Sequence, residues 1–228
     1  RIEMMSETLD VFSDLVNARR SVRAFLPEPL TQSVLESIFT LAQRAPSNCN
    51  TQPWQIAVAS GTSIENLRSK IPTAFSAGEW TMDFPYDGKY EGVYKERQYK
   101  AAADLYDAMG ITRDNKVARN EQFMKNYEFF GAPHVAFLFL PEGFGLREAA
   151  DLGMYAQTLM LSLSAHGLAS CPQTALSFNC DLVRQELDID SSNKLLFGIS
   201  FGHEDTANSV NGCRTERAAL LDTVTFYN

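Results

Sequence analysis

Three arginines and a serine lie close together near the start of the chain, in the segment RRSVRAF. The members are Arg19, Arg20, Ser21 and Arg23. Guanidinium groups form charge-assisted, bidentate hydrogen bonds to phosphate and carboxylate groups. Such a cluster is also common at the solvent-exposed end of a helix, where positive charge interacts favourably with the helix dipole. Taken alone, the segment predicts either an anion site or a solvated helix end.

A second polar segment, APSNCNTQPW from Ala45 to Trp54, follows about twenty residues later. Hydroxyl and amide side chains lie between its two prolines: Ser47, Asn48, Asn50, Thr51 and Gln52. By itself this composition is typical of a turn-rich loop. Beside an anion-binding cluster, its amides and unpaired backbone N–H groups suit the edge of a planar heterocycle. Together the two segments indicate a site for a nucleotide-like cofactor.

The composition restricts the class of protein. The chain has 228 residues, 45% of them hydrophobic, which predicts one domain or one domain with an insertion. Its formal net charge of −8 argues against nucleic acid as the main partner, because a phosphate backbone requires a basic surface. The arginine cluster stands out against this acidic background.

Cysteine and histidine usage predicts no metal site and no disulfide framework. The four cysteines form no CxxC pair, and the three histidines are isolated in the sequence. We expect Cys171 to be a buried structural cysteine. No apolar signal core and no run of about eighteen apolar residues is present, so we expect a cytoplasmic protein without a membrane span.

Hydrophobic periodicity predicts an α+β fold. A first helix ends close to Arg19, and Thr31 caps a second. Thr62 and Glu65 form a capping-box pattern that opens a third helix. The later elements are a buried strand over 134–140, a long apolar helix over 148–166 that stops at Gly167, a helix over 181–187 and a strand over 194–202. An earlier strand is predicted over 54–60.

Residues 72–130 differ from the rest of the chain. They are rich in tyrosine, tryptophan and phenylalanine and show little strand pattern. We therefore expect a single domain over residues 1–228 that carries a helical insertion at about 72–130. These aromatic residues could line a substrate pocket or pack within the insertion, and the sequence leaves both alternatives open.

The order of these motifs resembles the FMN-dependent nitroreductase family. The resemblance rests on RRSVRAF, APSNCNTQPW, a proline-containing segment at Pro172 after the long helix, and a basic pair at Arg214 and Arg217. It implies helices around a small mixed β-sheet and an intertwined homodimer with FMN at the subunit interface. It also implies that the insertion forms a lid over the substrate.

The resemblance assigns the first cofactor contacts to the arginine segment. Arg19, Arg20 and Ser21 would contact the FMN phosphate and ribityl chain. Arg23 would approach the pyrimidine edge of the flavin, where its charge stabilises the negative charge that reduction brings.

Three further segments complete the implied site. The neighbouring subunit would contribute Pro46, Ser47, Asn48 and Asn50. The flavin ring would lie along Pro172, Gln173, Thr174 and Ala175, with a backbone N–H near Thr174 directed at flavin N5. Arg214 and Arg217 would close on the phosphate, and the sequence leaves open which of them makes the contact.

The implied function is an FMN-dependent oxidoreductase that uses NADPH or NADH to reduce nitroaromatic or quinone-type substrates by a ping-pong mechanism. No side-chain nucleophile and no metal are expected, since the cofactor supplies the reaction. A reductive dehalogenase or another flavin-dependent reductase of the same fold is one alternative. A non-catalytic flavin-binding protein is another. The physiological substrate and the choice between NADH and NADPH stay open.

Overall fold

The computed structural model describes residues 2–227, with side chains from Ser6 onward. Its centre is a four-stranded sheet in the order β1-β2-β4-β3, and all three neighbouring pairs are antiparallel. The strands are β1 Gln55–Ser60, β2 His134–Pro141, β3 Ala169–Gln173 and β4 Asn193–Gly202. The α+β class is confirmed. The expected mixed strand pairing is wrong for these four strands; parallel pairing occurs outside them, as at the isolated bridge between Ser21 and Ser170.

Seven α-helices surround the sheet in the described part of the chain. They are α1 Ile2–Ala18, α2 Gln32–Ala42, α3 Thr62–Ser76, α4 Gly92–Ala108, α5 Lys116–Met124, α6 Leu146–Ala165 and α7 Cys180–Leu187. The first helix ends one residue before Arg19, as predicted. The long helix starts slightly earlier than expected, and Gly167 follows it with φ +71°, which confirms the left-handed stop.

One of the two predicted helix caps is confirmed. The Thr31 hydroxyl accepts a hydrogen bond from the Val34 N–H at 3.4 Å and caps α2. The capping box at Thr62 is wrong, since Thr62 is already the first residue of α3 and Gly61 precedes it at φ +54°. The Glu65 carboxylate instead lies 3.4 Å from the Arg68 side chain.

Strand β2 is buried on both faces of the sheet, as its continuous apolar sequence predicts. Val135, Phe137 and Phe139 pack in one cluster with residues of α3 and α7. The alternate residues of β2 pack in a second cluster with α2 and α6. Because successive side chains of a strand point to opposite faces, one strand supports both helical layers.

The segment predicted as an insertion lies outside the core only in its middle. Helix α4 contributes no buried residue, and α5 contributes only Gln122. Before them α3 extends to Ser76, and after them Tyr127 and Phe129 are fully buried in the core. The peripheral part is therefore 92–124, and its role as a lid remains a prediction.

Candidate functional site

The structure brings the two predicted groups of arginines to one cavity. Residues from opposite parts of the sequence line a cavity of about 460 Å³: Arg19, Arg20, Ser21 and Arg23 from the first segment, and Arg214 and Arg217 from the last. The first three arginines are half-buried, and the last two are exposed. Gln157 of α6 also lines the cavity.

Backbone pairing with strand β3 fixes the first arginine segment. After α1 ends, the chain continues in extended conformation, and the Val22 N–H donates to the Ser170 carbonyl at 3.0 Å. Ser21 and Ser170 form a parallel bridge. Val22 is buried while Ser21 and Arg23 are half-buried, as expected where alternate side chains of an extended segment face opposite sides.

Most of the positive charge at the cavity has no carboxylate partner. Arg20 is paired with Glu204. For Arg19, Arg23, Arg214 and Arg217, no carboxylate lies within 4.0 Å among the side chains described, those of residues 6–227. Burial, together with the nearby charge of Arg217, lowers the pKa of Arg19. Like charges held close together are stabilised by a shared anion.

The basic pair near the C-terminus is held by backbone carbonyls. Arg214 Nη1 donates to the Asn211 carbonyl at 2.8 Å and to the Cys213 carbonyl at 2.9 Å. Arg217 Nη1 donates to the Glu216 carbonyl at 2.9 Å and to the Thr215 carbonyl at 3.2 Å. These bonds orient the guanidinium groups without neutralising their charge. Both arginines therefore remain available to an anion.

Arg20 differs from the other arginines. Its Nη2 bonds to Glu204 and lies 3.5 Å from the Asn211 carbonyl oxygen. The guanidinium is thus partly committed inside the protein. In this arrangement Arg20 braces the two segments of the cavity against each other.

Asn211 joins the two arginine segments, and sequence reasoning missed it. Its Oδ1 accepts from the Arg23 N–H at 2.8 Å, and its Nδ2 donates to the carbonyls of Ala24 and Asp205, both at 2.9 Å. The residue is buried. The Asn-Gly pair signals a turn, but no local pattern indicates a partner 188 residues away.

Cys171 lies beside this cavity and is buried, as expected. Burial raises the pKa of its thiol to about 11, against smaller opposing effects of the Arg23 charge and a Ser21 hydrogen bond. A thiol with this pKa is neutral near pH 7 and a poor nucleophile. The structural role predicted for Cys171 therefore fits its surroundings.

The predicted loop Pro46–Asn50 is held by hydrogen bonds to Asp151 of helix α6. Both carboxylate oxygens of the buried Asp151 lie 3.1 Å from the Asn48 N–H, and the Ser47 hydroxyl accepts from the Gln52 N–H at 2.9 Å. Asn50 adopts a left-handed conformation at φ +57°. Pro46, Asn48 and Asn50 are exposed, and none of the four predicted residues lines the arginine cavity of its own chain. Asp151 was not predicted from the sequence.

The segment Pro172–Ala175 begins with the last two residues of β3, the strand that pairs with Ser21. Pro172 and Thr174 are exposed. The Gln173 side chain is buried instead: its Nε2 donates to the Asn126 carbonyl at 3.0 Å, and its Oε1 accepts from the Ser200 hydroxyl. A cofactor contact from Gln173 must therefore come from its main chain.

Comparison with known proteins identifies the family of this chain. A model of the nitroreductase family matches residues 16–203. The nitroreductase NfnB of Mycolicibacterium smegmatis is 46% identical over 213 residues, which cover 93% of this chain and 91% of NfnB. The chain belongs to the nitroreductase family. A 4-nitrobenzoate reductase of Pseudomonas putida is 32% identical over 215 residues, covering 93% of this chain and 94% of that enzyme.

A solved structure of this nitroreductase family has the same fold over nearly the whole chain. The crystal structure of the FMN-dependent nitroreductase NfnB from Mycobacterium smegmatis in complex with NADPH superposes with a TM-score of 0.93 at 44% identity. The match covers 97% of this chain and 100% of that one. The nitroreductase-like fold predicted from the motifs is confirmed.

Two observations concern other kinds of site in this nitroreductase. Residues 6–227 contain no group of three or more His, Cys, Asp or Glu that could hold a metal ion. No helix in the same range is long and apolar enough to cross a membrane.

Proposed function

We propose that this chain is an FMN-dependent oxidoreductase that takes electrons from NADPH and reduces nitroaromatic compounds. The observation that carries the proposal is the cavity where Arg19, Arg23, Arg214 and Arg217 meet without carboxylate partners. An acidic protein gathers such charge where it binds an anion. The relatives named as FMN-dependent nitroreductase and 4-nitrobenzoate reductase support FMN as that anion and a nitroaromatic as the substrate.

The donors at the cavity fit a phosphomonoester. We assign the FMN phosphate to Arg19, Arg214 and Arg217, with Ser21 beside them, and Arg20 to bracing through Glu204. A hydrogen bond to a charged group contributes roughly 1.5–3 kcal/mol, so two or three guanidiniums account for micromolar or tighter binding.

The flavin ring has a second set of proposed contacts. Arg23 would meet the pyrimidine edge, and the main chain over Pro172–Ala175 would lie along the ring. When bound, FMN supplies the redox chemistry by accepting a hydride from the nicotinamide nucleotide and passing electrons to the substrate. The protein orients the ring, and Arg23 stabilises negative charge that develops at its edge.

We propose a homodimer in which each loop Pro46–Asn50 serves the site of the other subunit. The loop is exposed, rigidly held by Asp151, and outside the arginine cavity of its own chain. Helix α1 supports the same conclusion, because Leu9, Phe12 and Val16 lie on one face and are 65%, 56% and 39% exposed. A second copy covering this face would place two chains around each cofactor.

Three further assignments extend the proposal. Quinone-type substrates would react at the same site, since the chemistry belongs to the cofactor. Helices α4 and α5 would form the lid above it. We place the protein in the cytoplasm, which agrees with four cysteines that are all free.

The test is an absorbance experiment on the purified protein under nitrogen. We expect a flavin spectrum between about 350 and 500 nm, bleaching on addition of NADPH, and recovery when 4-nitrobenzoate is added. Bleaching that recovers with an iodinated phenol but not with a nitro compound would favour the dehalogenase alternative. A coloured protein that NADPH does not bleach would favour a non-catalytic flavin protein, and a colourless protein that refuses added FMN would refute the proposal.

A further inference from the structure

A second cleft lies between helices α4 and α5, outside the arginine cavity. It has a volume of about 520 Å³, within the range of small-molecule sites. Its polar and aromatic lining residues are Tyr99, Lys100, Tyr106, Asp107, Arg113 and Arg119. Ala102, Ala103 and Ile111 complete an apolar surface. No residue of the cleft belongs to the motifs that carry the proposed FMN site.

Arg119 is held in a fixed orientation at this cleft. Its guanidinium carbon lies 5.1 Å from the centroid of the Tyr106 ring, and its Nη1 donates to the Arg113 carbonyl at 2.9 Å. Its Nε is buried without a hydrogen-bond partner. Because guanidinium N–H bonds lie in the plane of the group, stacking on a ring leaves them free for an acceptor at the edge. The Nε atom is closed off by the protein, and Nη1 is the one guanidinium nitrogen that bonds to another described residue, so Nη2 is the donor left for a ligand.

The charges at the cleft favour an anion. Lys100 is paired with Asp104 at 2.6 Å. Arg113 and Arg119 have no carboxylate within 4.0 Å in the described part of the chain, and Asp107 is the one acid among the lining residues. The two tyrosines add planar apolar surface, which packs well against another ring.

We propose that this cleft binds a planar aromatic group that carries an anionic substituent. Its anion accepts from Arg119 and Arg113, and its ring packs among Tyr99, Tyr106 and Ile111. Two ligands share this chemistry: an aromatic carboxylate, and the adenosine 2′-phosphate end of NADPH. Both named ligands rest on the proposed function, because they are a substrate type and the electron donor of that reaction. The binding of an aromatic anion by these side chains does not depend on it.

The test is calorimetric titration of the FMN-loaded protein with benzoate, with adenosine 2′-phosphate, and with the neutral analogue benzamide. We expect Arg113→Gln and Arg119→Gln to weaken binding of the anion about tenfold, because each removes a charged hydrogen bond. Asp107→Asn should tighten binding, because it removes a negative charge from the cleft. Arg147→Gln, on an exposed part of α6, removes a charge elsewhere and serves as the matched control.

The pattern across variants identifies the ligand. A response with benzoate alone assigns the cleft to aromatic acids, and a response with adenosine 2′-phosphate alone assigns it to the nucleotide. Equal affinity for benzamide, or affinities that are the same in all four variants, would overturn the proposal. Arg113 and Asp107 are exposed, so their variants keep the test valid if Arg119→Gln fails to fold. Binding can be measured whether or not NADPH reduces the flavin, which separates this result from the proposed function.

Discussion

The Asn211 side chain shows how one buried amide can organise a charged site. All three of its polar contacts are with main-chain groups, two in the first arginine segment and one at Asp205. Its own carbonyl accepts from Arg214 and lies near Arg20. The residue therefore positions both halves of the cavity without itself being a proposed cofactor contact.

Replacing Asn211 with alanine should separate the two arginine segments. We expect the free energy of unfolding to fall by about 1–3 kcal/mol, because buried main-chain groups lose their partners. We also expect at least a tenfold loss of FMN affinity. Urea unfolding and fluorescence titration with FMN measure the two effects, and Ser209→Ala, at an exposed residue nearby, is the control. FMN affinity within twofold of the parent protein would contradict the positioning role.

Removing the charge of Arg217 beside Arg19 should affect FMN affinity and the stability of the apoprotein in opposite directions. Arg19→Ala should lower FMN affinity roughly ten- to a hundredfold, and Arg217→Gln should lower it about tenfold, by loss of charged hydrogen bonds. Without FMN, Arg217→Gln should leave the melting temperature unchanged or raise it, since it removes a like charge from beside Arg19. FMN titration and thermal melting of the apoprotein check both expectations. A variant that melts lower without FMN and binds FMN normally would show a purely structural role.

At the scale of elements, His134, the first residue of β2, contacts three other segments. Its Nε2 accepts from the Leu30 N–H at 2.8 Å, its Nδ1 bonds to the Ser60 hydroxyl of β1, and its ring stacks on Phe201 of β4 at 5.3 Å. Acceptance at Nε2 requires the neutral ring, and burial lowers the pKa of His134. The strand connection therefore depends on an uncharged histidine.

This arrangement predicts a pH-dependent stability. A histidine with a depressed folded pKa binds more protons in the unfolded chain, where its pKa is about 6.5. The contribution of neutral His134 to the free energy of unfolding is complete above about pH 6.5. It is lost as the pH falls from there towards the folded pKa. We expect urea unfolding to show a smaller difference between pH 7.5 and 5.5 in His134→Gln than in the parent protein. His203→Gln, at an exposed histidine, should keep the full difference.

The sequence predicted elements best where the signal was local. Strand β2 and the stop at Gly167 follow from a continuous apolar run and a glycine. Thr62 and Glu65 had the spacing of a capping box, but Gly61 starts the helix one residue earlier than a threonine cap would. Gln173 belonged to a predicted site segment, yet its side chain is hydrogen-bonded to Asn126 and Ser200, which are distant in sequence.

In the candidate site, too, features with a local sequence signal were predicted and features that depend on long-range contacts were missed. The arginines were found because charge clusters in the sequence, whereas Asp151 and Asn211 were missed because they act through partners that are distant in sequence. The ion pair of Arg20 with Glu204 was missed for the same reason. Residue type reveals which groups can bind an anion, and only the fold shows which of them are already occupied.

At the scale of the whole molecule, the exposed apolar face of α1 predicts a dimer that single substitutions can disrupt. Phe12→Glu places a charge in the proposed interface, and burying an unpaired charge is strongly unfavourable. We expect sedimentation velocity to find monomers at concentrations where the parent protein is dimeric, with loss of NADPH-dependent nitro reduction. Asp10→Asn on the same helix is the control. A fully active monomer would refute the shared site.

The distance in sequence between the two halves of the arginine cavity governs when it can first exist. Arg19 leaves the ribosome early, but Arg214 and Arg217 emerge only after every strand of the sheet has been synthesised. The cavity is therefore incomplete in a growing polypeptide until the last segment packs against Arg23 and Ala24 through Asn211.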